Sequence, residues 1–297
     1  MATIERVDNN TIKIYDGSPV RVKKTGNIVE IRTMEAYGVQ SIQKLDKDNY
    51  VVLNTGELKQ FNHTETRAES PDNVKQSMNA LRDIINTNCV DYSKILFITL
   101  TYAENMQNQK QLYTDLKKFH QRLRYYLGEQ KFEYISAIEP QGRGAFHAHE
   151  LLIFDKKAPF IPNKKLAEIW GKGFTKITNV KNIDNLGLYL TAYLCDIDIS
   201  EANIKDIKDG KRIKTIASSD GGETKKIIKG GRIKYYPRGF RFYRCSRGIK
   251  RPTLFSCSYA TAQKMVESHN LTYEKTIKIS SEGYRNIINY KTYTKPL

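Results

Sequence analysis

Hydrophobic positions along the chain switch between two spacings, which separates strands from helices. A near-continuous apolar run over 94–102 predicts a strand covered on both faces. Residues 109–127 instead repeat apolar side chains every three or four positions, which predicts an amphipathic helix. Residues 131–139 and 145–154 are again rich in Phe, Tyr, Ile and Leu and flank the turn Gly142-Arg143-Gly144. They therefore predict a β-hairpin.

Three further elements complete this central pattern. Residues 164–170 predict a short helix that ends at Gly171, and 174–180 predict a strand. Asp184 or Asn185 is placed to cap a helix that runs to about Cys195. The order from Lys94 is β-α-β-β-α-β-α, and its first six elements match the split βαβ, ferredoxin-like pattern. We therefore predict an α+β fold with an antiparallel sheet, helices on one face of that sheet, and an added C-terminal helix. The hairpin would then place Glu139, His147 and His149 on the open face.

The flanking regions are predicted to be separate. Residues 1–70 carry short β-rich runs between turns, at 11–15, 20–23, 28–33, 39–45 and 50–53, which indicates a small β-rich N-terminal module. A helix over 71–86 begins the central domain, 71–200. Residues 201–297 form the third region, which is basic and β-rich, with a helix at 261–269 and strands at 272–279 and 287–293.

The predicted hairpin carries a candidate metal site. His147 and His149 are two positions apart in a strand, so their imidazoles project to the same face. A hairpin centred on Arg143 places Glu139 across from His147. Two imidazoles and a carboxylate suit manganese, zinc or iron better than magnesium. The alternative is that these are ordinary core or surface histidines.

The last predicted helix of the central domain carries two tyrosines. Tyr189 and Tyr193 are four positions apart and share a helix face. Leu186, Leu190 and Leu194 already supply an apolar stripe that the tyrosines do not fill. Tyrosine can act as a nucleophile in covalent catalysis, although aromatic residues at this spacing are more often core residues. Gly187 has no side chain and so removes bulk beside Tyr189.

The net charge of the chain indicates what kind of partner it binds. The chain has a formal charge of +17, of which residues 203–254 contribute +12 from sixteen Lys or Arg against four Asp or Glu. Such a balance favours nucleic acid, then anionic membranes, as the partner. The four cysteines are scattered, which predicts reduced thiols. The chain has no run of ~20 apolar residues and no apolar signal core, so we expect a cytoplasmic protein without a membrane segment.

Three segments together resemble a known family. Residues 97–102 (FITLTY), 146–153 (FHAHELLI) and 189–193 (YLTAY) resemble, in order and spacing, the three motifs of the HUH endonucleases. Within that group the resemblance is to rolling-circle replication initiators of Gram-positive plasmids, phages and related mobile elements, and it covers about residues 94–196. One position departs from the family pattern, because the lysine often found three residues after the first tyrosine is Ala192 here.

The resemblance implies residue roles and a reaction. His147, His149 and Glu139 would bind Mn²⁺ or Mg²⁺, Tyr189 would be the nucleophile, and Tyr193 would be a second tyrosine. Gly187 would let the DNA backbone approach the nucleophile closely. The implied enzyme nicks single-stranded or hairpin origin DNA, forms a 5′-phosphotyrosine link, and later rejoins the strand. No nucleotide-binding P-loop motif is present, so unwinding is expected from a host helicase acting in trans.

Two alternatives stay open. A relaxase or transposase would use the same chemistry, although two clustered histidines favour an initiator over the three-histidine cluster common in conjugative relaxases. A non-catalytic nucleic-acid-binding protein would explain the charge, but not the His-Ala-His motif followed by a two-tyrosine helix.

The basic region also provides predicted DNA contacts. Residues 230–251 interleave Lys and Arg with aromatic residues, which suits a strand whose charged face meets phosphate and whose exposed aromatic rings stack on bases. The alternative is a solvated basic face with aromatic side chains in a core. The predicted DNA-binding residues are Arg143, Lys234, Tyr235, Tyr236, Arg238, Arg241, Arg244, Arg247, Lys250 and Arg251.

Overall fold

The computed structural model describes residues 3–36, 42–53, 55–61, 71–142, 144–180, 183, 185–199, 213–216, 225–237, 239–281 and 284–296, and only the backbone of 71, 72, 193, 214–216 and 225. Two compact units emerge: Met1–Thr64 together with Pro252–Leu297, and Glu65–Arg251. No helix among the described residues has both the length and the apolar character needed to cross a bilayer.

The helices are α1 (Pro71–Asn88), α2 (Gln109–Leu127), α3 (Asn163–Trp170), α4 (Leu186–Cys195) and α5 (Tyr259–Met265). The strands are β1 (Thr3–Val7), β2 (Pro19–Thr25), β3 (Ile28–Met34), β4 (Ile42–Lys44), β5 (Asn49–Val52), β6 (Leu58–Gln60), β7 (Ile95–Tyr102), β8 (Phe132–Pro140), β9 (Phe146–Phe154), β10 (Gly173–Thr178), β11 (Ile197–Asp198), β12 (Ile213–Ile216), β13 (Lys225–Ile228), β14 (Tyr243–Cys245), β15 (Thr253–Ser258), β16 (Asn270–Ser281) and β17 (Tyr284–Thr294).

The first unit joins the two ends of the chain in one sheet. Its six strands lie in the order β1-β16-β17-β3-β2-β15, and Ile28 of β3 pairs with Thr294 of β17. The predicted division into 1–70, 71–200 and 201–297 therefore differs from the observed grouping. Alternating hydrophobicity identifies strands but does not reveal which strands pair. The predicted strand at 11–15 is also absent, since Asn9–Thr11 forms a 3₁₀ turn after β1.

The second unit has the predicted α+β topology. Its sheet order is β10-β7-β9-β8-β14, and every neighbouring pair is antiparallel. Strands β7 to β10 with helices α2 and α3 reproduce the split βαβ pattern, and β14 adds an edge strand. Helix α2 spans the predicted residues, beginning after Asn108, whose side chain accepts from the amides of Lys110 and Gln111.

Helices cover both faces of this sheet. Helix α2 meets one face through His120, which contacts Glu150 of β9 at 2.9 Å. Helix α4 lies on the other face, where the Tyr189 ring meets the ring of Phe97 on β7. The face that was predicted to be open, on which Glu139, His147 and His149 lie, is therefore partly covered by α4.

Gly187 has a packing role that differs from the predicted one. A Cβ added at this position would lie 2.6 Å from Oδ1 of Asn86 and 2.9 Å from the backbone oxygen of Arg82. Both atoms belong to α1, which packs against α4. The missing side chain thus permits close approach of two helices, and the expectation that it admits a DNA backbone is corrected.

Replacing Gly187 with alanine is expected to destabilise the protein. The gain in helix propensity, up to ~1 kcal/mol, opposes an overpacking cost of ~1–3 kcal/mol. The overpacking cost should prevail because a helix carbonyl cannot move aside as a side-chain end can. Urea unfolding measures the change, with exposed Leu188→Ala on the same helix as a control expected to stay within ~0.5 kcal/mol. A more stable Gly187→Ala protein would contradict this packing account.

Candidate active site

The hairpin register brings Glu139, His147 and His149 to one face of the sheet. Glu139 of β8 pairs directly with His147 of β9, as predicted, and His149 pairs with Thr99 of β7 on its other side. The turn closes through the Gln141 amide, which donates to the Ala145 carbonyl at 2.7 Å. Arg143, predicted at the centre of this turn, lies outside the described residues.

The Glu139 carboxylate links the two imidazoles. Its Oε1 lies 3.8 Å from Nδ1 of His147, and its Oε2 lies 3.3 Å from Nε2 of His149. The other ring nitrogen of His149, Nδ1, is 3.2 Å from the Thr99 hydroxyl. Glu139 and His149 are buried and His147 is half-buried. A carboxylate and two imidazoles thus share a site that is largely shielded from water.

The charge state of Glu139 reflects two opposing influences. Burial raises the pKa of this carboxyl, because a charge loses hydration in the interior. The neighbouring His149, its hydrogen bond, Arg232 and His147 together outweigh burial, so the pKa lies below its ordinary value. The carboxylate is therefore ionised at neutral pH, as required of a ligand to a cation.

These donor groups are of the kinds that hold Mn²⁺ and related ions, but they are not arranged as a ready-made metal site. Within the part of the chain that the structure describes, no group of three or more His, Cys, Asp or Glu has that arrangement. The imidazoles instead face the carboxylate, and their ring centroids are 6.5 Å apart. The three side chains form a compact carboxylate–imidazole cluster.

Tyr189 lies on the same face of the sheet as His149, because the rings of both residues contact the ring of Phe97. The Phe97 ring centroid lies 6.3 Å from that of Tyr189 and 5.8 Å from that of His149. Tyr189 is half-buried, and the side chain of Asn185 caps its helix at the Leu188 amide. Tyr193 lies one turn further along the helix, and its side chain is outside the described residues.

Two residues at this site were not found by sequence reasoning. Thr99 could have been found, because every second residue of β7 faces the hairpin histidines. Arg232 could not have been found, because it is far from the hairpin in sequence. It lies 92 residues after Pro140, the neighbour of Glu139. Its buried guanidinium is nevertheless 3.8 Å from Oε1 of Glu139. No motif or periodicity in the sequence indicates this contact.

A protein-family model matches the part of the chain that carries this site. Residues 95–198 match a family model whose description is that of a replication-associated protein. That range contains β7 to β10 and α2 to α4, and so includes Glu139, both histidines and Tyr189. The match supports a replication initiator type of protein. Searches of curated proteins and of solved structures found no match.

Nine of the ten predicted DNA-binding residues separate into three groups. Five are exposed cations: Arg241, Arg244, Arg247, Lys250 and Arg251. Lys234 and Tyr235 are half-buried, with the Lys234 ammonium 4.9 Å from the Tyr235 ring centroid. Arg143 and Arg238 lie outside the described residues. The Arg244 guanidinium also lies 4.3 Å from the Tyr113 ring centroid. Contact between the exposed cations and phosphate stays a prediction.

Tyr236 requires a correction, as does the predicted long basic strand. Tyr236 is 1% exposed and packs with Phe240 and Phe242, so it belongs to the core and does not present its ring to bases. Within 230–251 the described residues contain one strand, the short β14. In this segment β14 pairs with the edge of β8, and Tyr236, Phe240 and Phe242 are buried.

Proposed function

We propose that this protein initiates rolling-circle DNA replication by nicking single-stranded origin DNA through metal-dependent attack by a tyrosine. One observation carries this proposal. A carboxylate–imidazole cluster and a tyrosine meet on one sheet face, joined by Phe97, within the segment that matches a replication-associated family.

The proposed metal ligands are Glu139, His147 and His149, and the proposed ion is Mn²⁺ or Mg²⁺. When bound, the ion would polarise the scissile phosphate and orient it. The imidazoles now contact the carboxylate, so binding requires rotation of side chains. The backbone register that holds all three on one face need not change.

Tyr189 is the proposed nucleophile. Its phenolic oxygen forms a bond to phosphorus, and the bond from phosphorus to the preceding 3′-oxygen breaks. The phenol loses its proton to solvent, and the departing 3′-oxygen gains one to give a 3′-hydroxyl. The products are a 5′-phosphotyrosine link and a free 3′ end. Attack by a 3′-hydroxyl on that link reverses the step and rejoins DNA.

The proposed partners are single-stranded or hairpin origin DNA and a host helicase that unwinds the duplex in trans. The exposed cations from Arg241 to Arg251 are proposed to hold the DNA backbone.

A covalent adduct assay tests this function. The full chain is incubated with Mn²⁺ and 5′- or 3′-labelled single-stranded oligonucleotides that tile the DNA flanking its own coding sequence. We expect one oligonucleotide to give a labelled adduct that survives denaturing electrophoresis, only with the 3′ label, and only without EDTA. DNA binding without any adduct would favour the non-catalytic alternative.

The exposed arginines provide a prediction about salt. Neutralising Arg241, Arg244 and Arg247 together is expected to weaken binding to single-stranded DNA and to reduce its salt dependence. Each lost phosphate contact should lower the slope of log K against log [salt] by ~0.7. Fluorescence anisotropy at several NaCl concentrations measures this slope. An unchanged slope would mean that these arginines do not contact the DNA backbone. The control is Lys264→Gln, which removes a cation from the other unit.

A further inference from the structure

One short segment makes hydrogen bonds both to the strand that carries Glu139 and to the helix that carries Tyr189. This segment, Gly230–Tyr236, is called the strap below. Arg232 lies within the strap and is 5% exposed. Its Nη1 donates to the Pro140 carbonyl at 2.6 Å, at the end of β8, and its Nε donates to the Asp196 carbonyl at 2.9 Å, just after α4. A single guanidinium therefore spans the two elements.

The strap supplies hydrogen-bond donors to the carbonyl groups at the C-terminal end of α4. The last carbonyls of a helix have no partner within it. Here the Leu194 carbonyl lies 3.0 Å from the Tyr236 hydroxyl, the Cys195 carbonyl accepts from the Arg232 amide at 3.0 Å, and the Asp196 carbonyl accepts from the Arg232 side chain. Three successive carbonyls thus depend on strap donors.

Tyr236 repeats the bridge made by Arg232. Its hydroxyl lies 3.0 Å from the Leu194 carbonyl of α4 and 3.0 Å from the Ile138 carbonyl of β8. The ring is buried, so the hydroxyl is held between the two elements. A phenol has one proton, so Tyr236 donates to one of these carbonyls at a time, whereas Arg232 reaches both elements at once through two separate N–H groups.

We propose that Arg232 is a positioning residue that fixes the helix bearing Tyr189 relative to the strand bearing Glu139. This inference rests on the proposed function. In-line attack needs the phenolic oxygen and the bound phosphate within a narrow range of positions, and a displacement of ~1 Å can reduce a rate by about 100-fold. The strap supplies this alignment from a part of the chain outside the segment that matches the family model.

The charge of Arg232 offers a competing explanation that can be separated. Its Nη1 is 3.8 Å from Glu139, so a cation at this place could act on the carboxylate alone. Lysine would keep that charge, but a single ammonium cannot reproduce the planar fork that reaches both carbonyls. Arg232→Lys therefore distinguishes a bridge from a charge.

The test compares Arg232→Met, Arg232→Lys and Tyr236→Phe with the wild-type chain. Lys229→Met, which removes an exposed cation beside the strap, is the matched control. Single-turnover adduct formation is measured on the labelled origin oligonucleotide at saturating DNA and Mn²⁺. The Mn²⁺ concentration for half-maximal rate, the DNA dissociation constant and hydrogen exchange of the α4 amides are measured on the same proteins.

Both Arg232 variants are expected to lose about 10- to 100-fold in rate at saturating Mn²⁺ and DNA. Arg232→Lys, which keeps the positive charge beside Glu139, should also keep the Mn²⁺ and DNA constants near wild type. Tyr236→Phe keeps its ring in the core and should lose rate by a smaller factor. Exchange of the α4 amides should quicken, while exchange in α2 stays the same. Lys229→Met should match the wild type in all four measurements.

If the wild-type chain is active, any one of three results would overturn the proposed role of Arg232 and leave the proposed function standing. These are an unchanged rate in folded Arg232→Met and Tyr236→Phe, full activity in Arg232→Lys, or a rate loss that higher Mn²⁺ or DNA removes. A wild type that forms no adduct overturns the proposed function and this role with it. The exchange data then report separately whether the strap holds α4.

Discussion

Replacing His147 or His149 with alanine is expected to abolish Mn²⁺-dependent cleavage while DNA binding survives. Each substitution removes one of the two nitrogen donors that face Glu139, at 3.8 and 3.3 Å respectively. Loss of a metal ligand should lower the cleavage rate by at least on the order of 100-fold, since even partners of ligands are worth 10- to 100-fold. The exposed cations that are proposed to hold the DNA backbone lie elsewhere in the sequence, between Arg241 and Arg251.

Adduct formation with Mn²⁺, together with anisotropy on the same oligonucleotide, checks this expectation. His269→Ala is a matched control, because His269 is in the other unit. Glu139→Ala should weaken Mn²⁺ affinity less severely, because water can replace a carboxylate oxygen. Wild-type cleavage by His147→Ala would refute the metal site, whereas loss of DNA binding in either variant would indicate general damage to the fold.

Tyr189→Phe is expected to eliminate the covalent adduct. The substitution removes only the phenolic oxygen and keeps the ring that packs on Phe97, so the fold should be unaffected. Without that oxygen no phosphotyrosine bond can form at this position. Adduct yield on one labelled oligonucleotide, with melting temperature to confirm folding, measures the effect.

Tyr193→Phe is the matched comparison. Tyr193 lies one helical turn beyond Tyr189, about 6 Å along the axis at ~1.5 Å per residue. One in-line position cannot serve both oxygens unless the helix or the DNA moves. Tyr193→Phe should therefore still cleave, although a later strand-transfer step could need it. Full yield from Tyr189→Phe with none from Tyr193→Phe would reverse the assignment, and adducts from both would show that the tyrosines are interchangeable.

Local patterns were sufficient to predict much of the second unit. Helix α2 was predicted at its observed bounds from its amphipathic period, and in the structure Asn108 caps its start and Gly128 follows its last turn. The hairpin register followed in the same way from a short glycine-flanked turn, which places Glu139 opposite His147. Both features depend on neighbours in sequence.

Other features depend on residues that are far apart in sequence. Gly187 was assigned to DNA approach, and its contact with Arg82 on α1 became evident only from packing. Tyr236 was assigned to base stacking for its basic neighbours, although its ring lies in the core. Composition describes which side chains a segment has, and only the surrounding packing decides which of them reach solvent.

The sequence by itself determined the order of elements in the central domain, the shared face of the two histidines and the position of the tyrosine helix. Periodicity and turn chemistry carry that information locally. Only the tertiary structure decided that β15 to β17 complete the N-terminal sheet, that Phe97 links His149 to Tyr189, and that Arg232 bridges β8 and α4. These contacts join distant segments, and the free energy that selects them comes from burial and hydrogen bonding in the assembled fold.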